Sequence, residues 1–593
     1  MKTLLILAAF AGTARAGAAI ETDLGEVRAC AALPGGDFLV ATGGGLAHLD
    51  AAGGTSGVWT SVDGLPGTRV ESITQIAPDE LWVGTEAGAA RVRLGEHGAL
   101  AIGHAIGDKA ILDVARIDRC AASPSGDAAR SGKAEPCEAT RYFATRDAGV
   151  LAMTASGTAS VALHTGGAAR LRVSALATAH GELFAGTGAG LYHLLHGRFE
   201  PLSLGVPADV TALFADGDTL WIGTTRGLYA RDASGVTPYG GGEVRRIAKL
   251  DGAIVVAGLA GAARADRGRL IAMPIGASPV LTALGASSTG AACAGGLGAV
   301  WIRTGATWTA GSLPAGPPAN DISALATDGD RLWVGTFDHG LALRERGTWR
   351  RIADAHLDTR INAILVARDH RAWIGTAAGL SIVDNALSPP RITQLTHADG
   401  LPARAVLALA QLADGRVLAG TTSGAVILGD GRPVVLGVKQ NLDVANVWAV
   451  AQDPSGTVWL GTTTGLYRGK LDDETPWQRF AMTTGHLRDD WVMALVVKDD
   501  ALWVGTYKGG VTRFELGTDV HATPISVGWI NPGGLRWDGA NLYVSTMAGL
   551  FVSDGASAGH LVTGLPGKDV TSTARIGKTL YVSTRRGLAA FAP

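Results

Sequence analysis

The stretch Leu220-Trp221-Ile222-Gly223-Thr224-Thr225-Arg226-Gly227-Leu228 decides the fold, because it recurs along the chain. Close copies run through Thr85, Thr376 and Thr462, and copies with one more loop residue through Thr336 and Thr506. Weaker copies centre on Thr42, Thr145, Thr187, Thr421, Thr546 and Thr584, and two degraded ones surround Leu259 and Gly296. That makes fourteen copies, spaced by about 42 residues, a period that marks a repeat architecture. One interval is longer, between Thr85 and Thr145.

Each unit reads as four short strands. A V-x-A-L run is followed by an Asp/Gly turn, such as those before Thr219, Arg331 and Thr457. The L-W-V-G-T run comes next, then a tight hairpin and a strand opening on G-L. An irregular strand follows, often ending at a G-L-P phrase like those at Asp63, Asp399 and Thr563. Apolar and small residues alternate along these runs, with no sustained helical period. A four-strand unit of this length is a propeller blade, and rings hold about 4–8 of them, so fourteen predicts an all-β chain of two seven-bladed propellers. The proline-rich stretch Ser312-Leu313-Pro314-Ala315-Gly316-Pro317-Pro318 marks the seam. The expected division is a signal peptide at 1–16, a first propeller at 17–313 with an insertion at about 117–140, and a second at 314–593. Little chain follows the fourteenth copy, so residues 18–24 either supply its fourth strand or leave that blade short.

Composition narrows the class. Glycine makes up 84 of 593 residues, about twice the usual ~7 %, but without the three-residue period of collagen. An apolar fraction of 47 % is ample for a packed core and excludes a disordered chain. A net charge of −2 argues against an electrostatic nucleic-acid binder. After the N-terminus no apolar run reaches the ~20 residues of a membrane helix.

Met1-Lys2-Thr3, the apolar run to Gly12 and Ala14-Arg15-Ala16 together read as a secretory signal cut before Gly17. The next residues hold no cysteine for a lipid anchor, so a periplasmic or secreted protein is expected. Export permits disulfides. Cys120 and Cys137 bracket a polar stretch in the long interval and are expected to staple it as a loop. Cys30 and Cys293 lie in the first and seventh units, which are neighbours in a closed ring. They are either a bridge clamping that ring or two separate buried thiols.

The paired phrases, DGLP-x-x-x-V-x-A-L followed by LWVGT-x-x-GL, resemble the repeats of two-component regulator propellers, over nearly all of residues 25–593. Such propellers form the periplasmic sensor halves of hybrid histidine-kinase systems, usually as two seven-bladed rings. In that family an immunoglobulin-like domain, a membrane span and a kinase normally follow, and none is found after the fourteenth unit here. The resemblance therefore implies an exported double propeller that binds a ligand or a partner, not one that signals directly across a membrane. Fold alone does not assign the ligand.

The repeated Trp82, Trp221, Trp333, Trp373, Trp459 and Trp503 occupy one position in a buried strand and read as packing between blades. No phosphate loop, HExxH or CxxC is present, so neither a cofactor nor a metal is expected. Strand direction puts the loops inside G-T-x-x-G on the same face as those around D-G-L-P. Most residues there are small, such as Ala87, Ala377 and Thr463. The exceptions are the candidate binding residues: Arg146, Asp147, Arg226, Phe337, Asp338, His339, Tyr507, Lys508, Arg585 and Arg586. Aromatic and charged groups on exposed loops suit recognition of a glycan, a peptide or an exported partner protein, by a monomer that is not an enzyme. The alternative is a polysaccharide hydrolase with a cleft between the rings, for which Asp147, Asp338, Asp489 and Asp490 are the available loop carboxylates.

Overall fold

In a computed structural model the repeats become fourteen four-stranded antiparallel sheets. The structure describes residues 18–592 except 34, 78–79, 95–99, 120–137, 155, 162–171, 206–208, 279, 385–388, 430, 441, 443–445, 472–475, 518–521 and 527. The expected Cys120–Cys137 staple lies outside the described residues. No α-helix occurs among the described residues, and no helix there is long and apolar enough to cross a membrane.

The sheets fall into two compact units. One is Asp23–Ala315; the other joins Gly316–Pro593 to the N-terminal strand Ala19–Glu21. That strand pairs antiparallel with Gly587–Phe591, Ile20 opposite Ala589, and supplies the fourth strand of the last sheet. Of the two outcomes open for residues 18–24, the strand pairing is the one observed. The physical reason is the exposed edge of Gly587–Phe591, whose N–H and C=O groups need a partner. Glu21 then latches the strand. Its carboxylate accepts from Arg344 Nε and Trp349 Nε1, both at 2.8 Å.

The repeated phrase has a local cause at each letter. In all twelve copies that keep the threonine, its Oγ1 donates to the carbonyl of the glycine across the hairpin, at 2.7–3.2 Å. In most, the same oxygen accepts a loop N–H, as from Arg226 at 3.0 Å. The glycine before the threonine answers to packing between sheets. A Cβ on Gly461 would lie 2.5 Å from Val492 Cγ1 of the next sheet, and one on Gly335 2.5 Å from Ile361 Cγ2. Gly295 meets Val27 in the same way at 2.4 Å, so the seventh sheet packs on the first as any other sheet packs on its successor. The repeated tryptophans are all buried, from Trp333 at 0 % to Trp221 at 9 % exposure.

Each unit closes differently. In Asp23–Ala315 every sheet is contiguous in sequence. The first and seventh sheets are bridged by the Cys30–Cys293 disulfide, whose Cα atoms stand 6.1 Å apart, and by Gly298 N donating to Gly25 O at 2.7 Å. The other unit closes through the borrowed N-terminal strand.

Candidate functional site

One hydrogen bond sets the loop face. The N–H of the residue after the repeated threonine donates to the carbonyl of the residue before the first-strand valine or isoleucine of its own sheet. Phe337 donates in this way to Asp321, Tyr507 to Trp491, Met547 to Trp529 and Arg585 to Asp569. Hairpin tip and sheet entry therefore sit side by side on one face of the unit.

In the unit containing Gly316–Pro593 this face carries two groups of side chains. The first is aromatic. The Tyr507 ring centroid lies 4.8 Å from Trp491 and 5.1 Å from Trp529, with Trp448 5.9 Å beyond Trp491. Trp529 is 47 % exposed, and Lys508 Nζ stands 5.9 Å from its ring. The second group is charged. Arg585 pairs with Asp321 at 3.1 Å and with Asp569 at 3.2 Å, and its guanidinium covers the Phe337 ring. Buried Asn531, two residues after Trp529, donates from Nδ2 to Asp569 Oδ1 at 2.7 Å. Burial raises the Asp321 carboxyl above the ordinary aspartate range. Arg585 opposes that rise and the Asp338 charge adds to it.

The other candidates scatter. Asp338 and His339 are exposed and hydrogen-bond each other at the same hairpin tip as Phe337. The Arg586 N–H donates to Thr584 Oγ1 at 2.9 Å. Asp489 accepts the Lys508 N–H at 2.7 Å and Asp490 the Met482 N–H at 2.6 Å, so both carboxylates organise loops. In the other unit Arg226 and Asp147 are exposed tips. Arg146 is part of an ion network around buried Glu71, with Arg28 at 2.6 Å and Arg69 at 2.8 Å. Burial alone would push the Glu71 carboxyl up, but the three guanidinium groups hold it below the ordinary range.

Sequence reasoning missed Trp448, Trp491, Trp529, Asn531, Asp321 and Asp569. The signal lay one residue before the V-x-A-L run, where Trp491 and Trp529 depart from their smaller or charged counterparts.

Four-stranded sheets on a repeated W-x-G-T phrase, with their variable loops on one face, define a β-propeller. Residues 441–464 match the family model described as the two component regulator propeller. No curated protein matches. Among solved structures, the extracellular domain of a putative hybrid two component system from B. thetaiotaomicron is 16% identical, with 97% of this chain and 82% of that one aligned and a TM-score of 0.40. PorZ, a surface component of the type-IX secretion system of Porphyromonas gingivalis, is also 16% identical, over 97% and 86% of the two chains, with a TM-score of 0.44. An ancestral GH74 enzyme aligns over 96% of this chain and 98% of its own at 13% identity, with a TM-score of 0.68. That likeness is one of fold.

Proposed function

We propose that this chain is an exported, non-enzymatic pair of seven-bladed propellers that binds a ligand or partner in a sensor-like or scaffold role. The carrying observation is the pair of side-chain groups on one loop face, the rings of Trp491, Tyr507 and Trp529 and the cluster of Arg585 with Asp321, Asp569 and Phe337. Half-exposed rings offer a flat apolar surface, and the adjoining carboxylates and guanidinium offer directed hydrogen bonds. That pairing suits a glycan or a peptide, whose surfaces alternate apolar and polar patches. Seven sheets in each unit and the packing of Gly295 on Val27 support two closed seven-bladed rings. Signal cleavage before Gly17 would leave the closing strand Ala19–Glu21 intact.

The test is a titration of the mature protein with oligosaccharide and peptide panels, read by tryptophan fluorescence. Trp529→Ala should abolish a wild-type response while leaving the melting temperature nearly unchanged, because Trp529 is 47 % exposed. A response that survives both Trp529→Ala and Tyr507→Ala would move the site elsewhere.

The hydrolase reading retains one support. Asp321 is a carboxyl held toward its protonated form beside a second acid, Asp338, as a general acid requires. Polysaccharide turnover abolished by Asp321→Asn with binding retained would favour it over the binder.

A further inference from the structure

We propose that the central channel of the Asp23–Ala315 unit is an anion site, in which Arg246 receives the oxyanion of a small carboxylate or phosphate solute. The first strands of its seven sheets enclose a cavity of about 820 Å³, within the size range of small-molecule pockets. A second cavity of about 560 Å³, lined in part by Arg28, Glu71 and Arg246, adjoins it through shared residues.

The repeat itself singles out Arg246. Two residues after the first-strand valine or isoleucine the chain usually places alanine or serine: Ala29, Ser72, Ala175 and Ala212 in this unit, and Ala324, Ala363, Ala408, Ala449 and Ala494 in the other. Asp113 and Arg246 break the pattern, and both line the channel. Departures from a local rule are expected where a structure is strained or functional.

Asp113 has a structural use. Its carboxylate accepts from Thr74 Oγ1 at 2.8 Å, Val114 N at 2.8 Å and Leu176 N at 2.9 Å, stapling three neighbouring sheets. Four other charges nearby are also balanced: Arg28 by Glu71, Arg245 by Glu243, Lys249 by Asp216 and Asp251 by Arg303. Arg246 is different. Its guanidinium donates to two backbone carbonyls, Arg28 O at 2.8 Å and Arg245 O at 2.9 Å, and among the described residues no carboxylate lies within ion-pair distance. Two carbonyls leave part of its five-donor fork unused, and the group stays charged at any ordinary pH.

A partly desolvated cation with unused donors favours an oxyanion, which gains charge-assisted, two-point hydrogen bonds from the planar fork. Burial disfavours the Arg246 charge; the more distant Asp113 and Glu71 carboxylates favour it, and the like charges of Arg28 and Arg245 oppose it.

The experiment is calorimetric titration of the full mature protein with inorganic phosphate and, separately, succinate, against a chloride control. Wild type should bind one or both, and the preference identifies the solute as phosphate- or carboxylate-bearing. Arg246→Gln should weaken binding about ten- to a hundredfold, the value of a hydrogen bond to a charged group, and Arg246→Lys by less. Ser174→Phe, which fills the channel wall and leaves Arg246 in place, should also abolish binding, and it decides the matter if Arg246→Gln does not fold. Wild type that binds neither anion overturns the site, as does undiminished binding by a folded Arg246→Gln or Ser174→Phe variant.

Discussion

The Arg585 guanidinium carbon stands 3.6 Å from the centroid of the Phe337 ring, joining the last sheet of its unit to the first. The same side chain reaches Asp321 and Asp569, so one cation ties an aromatic ring and two carboxylates across the closure. With Arg585 40 % exposed, solvent screens the ion pairs, and Arg585→Ala should cost about 1–2 kcal/mol. A double-mutant cycle with Phe337→Ala, read by denaturant unfolding, should return a coupling of about 0.5–1 kcal/mol. Strict additivity would mean that the ring and the cation merely sit together.

Closure of Asp23–Ala315 depends on a covalent bond. Cys30 and Cys293 are 263 residues apart in sequence, so their bridge removes much of the freedom of the unfolded chain. Replacing both by alanine should destabilise this unit by about 2–5 kcal/mol. The other unit contains no cysteine, so calorimetry should show one transition moving down and the second unmoved.

Residues 19–21 should matter only to the unit they complete. Glu21→Ala leaves Arg344 and Trp349 without their carboxylate, and about 1–3 kcal/mol should be lost from the Gly316–Pro593 transition. A chain starting at Asp23 should lose more, and a synthetic peptide of residues 17–22 should restore part of it.

Gly461→Ala tests the packing between sheets. The added methyl carbon would meet Val492 Cγ1 at 2.5 Å, and overpacking of this kind costs about 1–3 kcal/mol. Pairing it with Val492→Ala should recover part of the loss in chemical denaturation. No recovery would place the strain in the backbone.

Acid should weaken the Asp23–Ala315 unit through Glu80. Burial raises its carboxyl, but hydrogen bonds from Arg141 and Trp82 and the charge of Arg141 pull it from 4.5 down to about 2. The folded value lies below the unfolded one, so this stabilisation is complete above about pH 5 and is lost as pH falls toward 2. Its size is up to about 3 kcal/mol. Glu80→Gln should be less stable at neutral pH and should flatten the acid limb of a stability profile.

Much of the fold was legible because the repeat is local. Thr224 and its counterparts close a hairpin within four residues, and alternation along Leu220–Thr224 names the buried face without distant chain. The site was legible only in part. Phe337, Tyr507 and Arg585 stand out as large residues among small hairpin tips. Trp529 and Asp321 do not, because their proximity to those tips comes from a hydrogen bond between strand one and the hairpin. Arg146 looked like a free loop cation, but a carboxylate from a neighbouring sheet, Glu71, claims it.

By itself the sequence determined the strand order, the number of repeats and the face on which variable loops gather, since each follows from contacts inside one repeat. Tertiary structure alone decided where the N-terminal strand goes, that Cys30 meets Cys293, and that among the described residues no carboxylate comes within ion-pair distance of Arg246. These are relations between chain segments hundreds of residues apart. Only closure of each unit brings them within bonding distance.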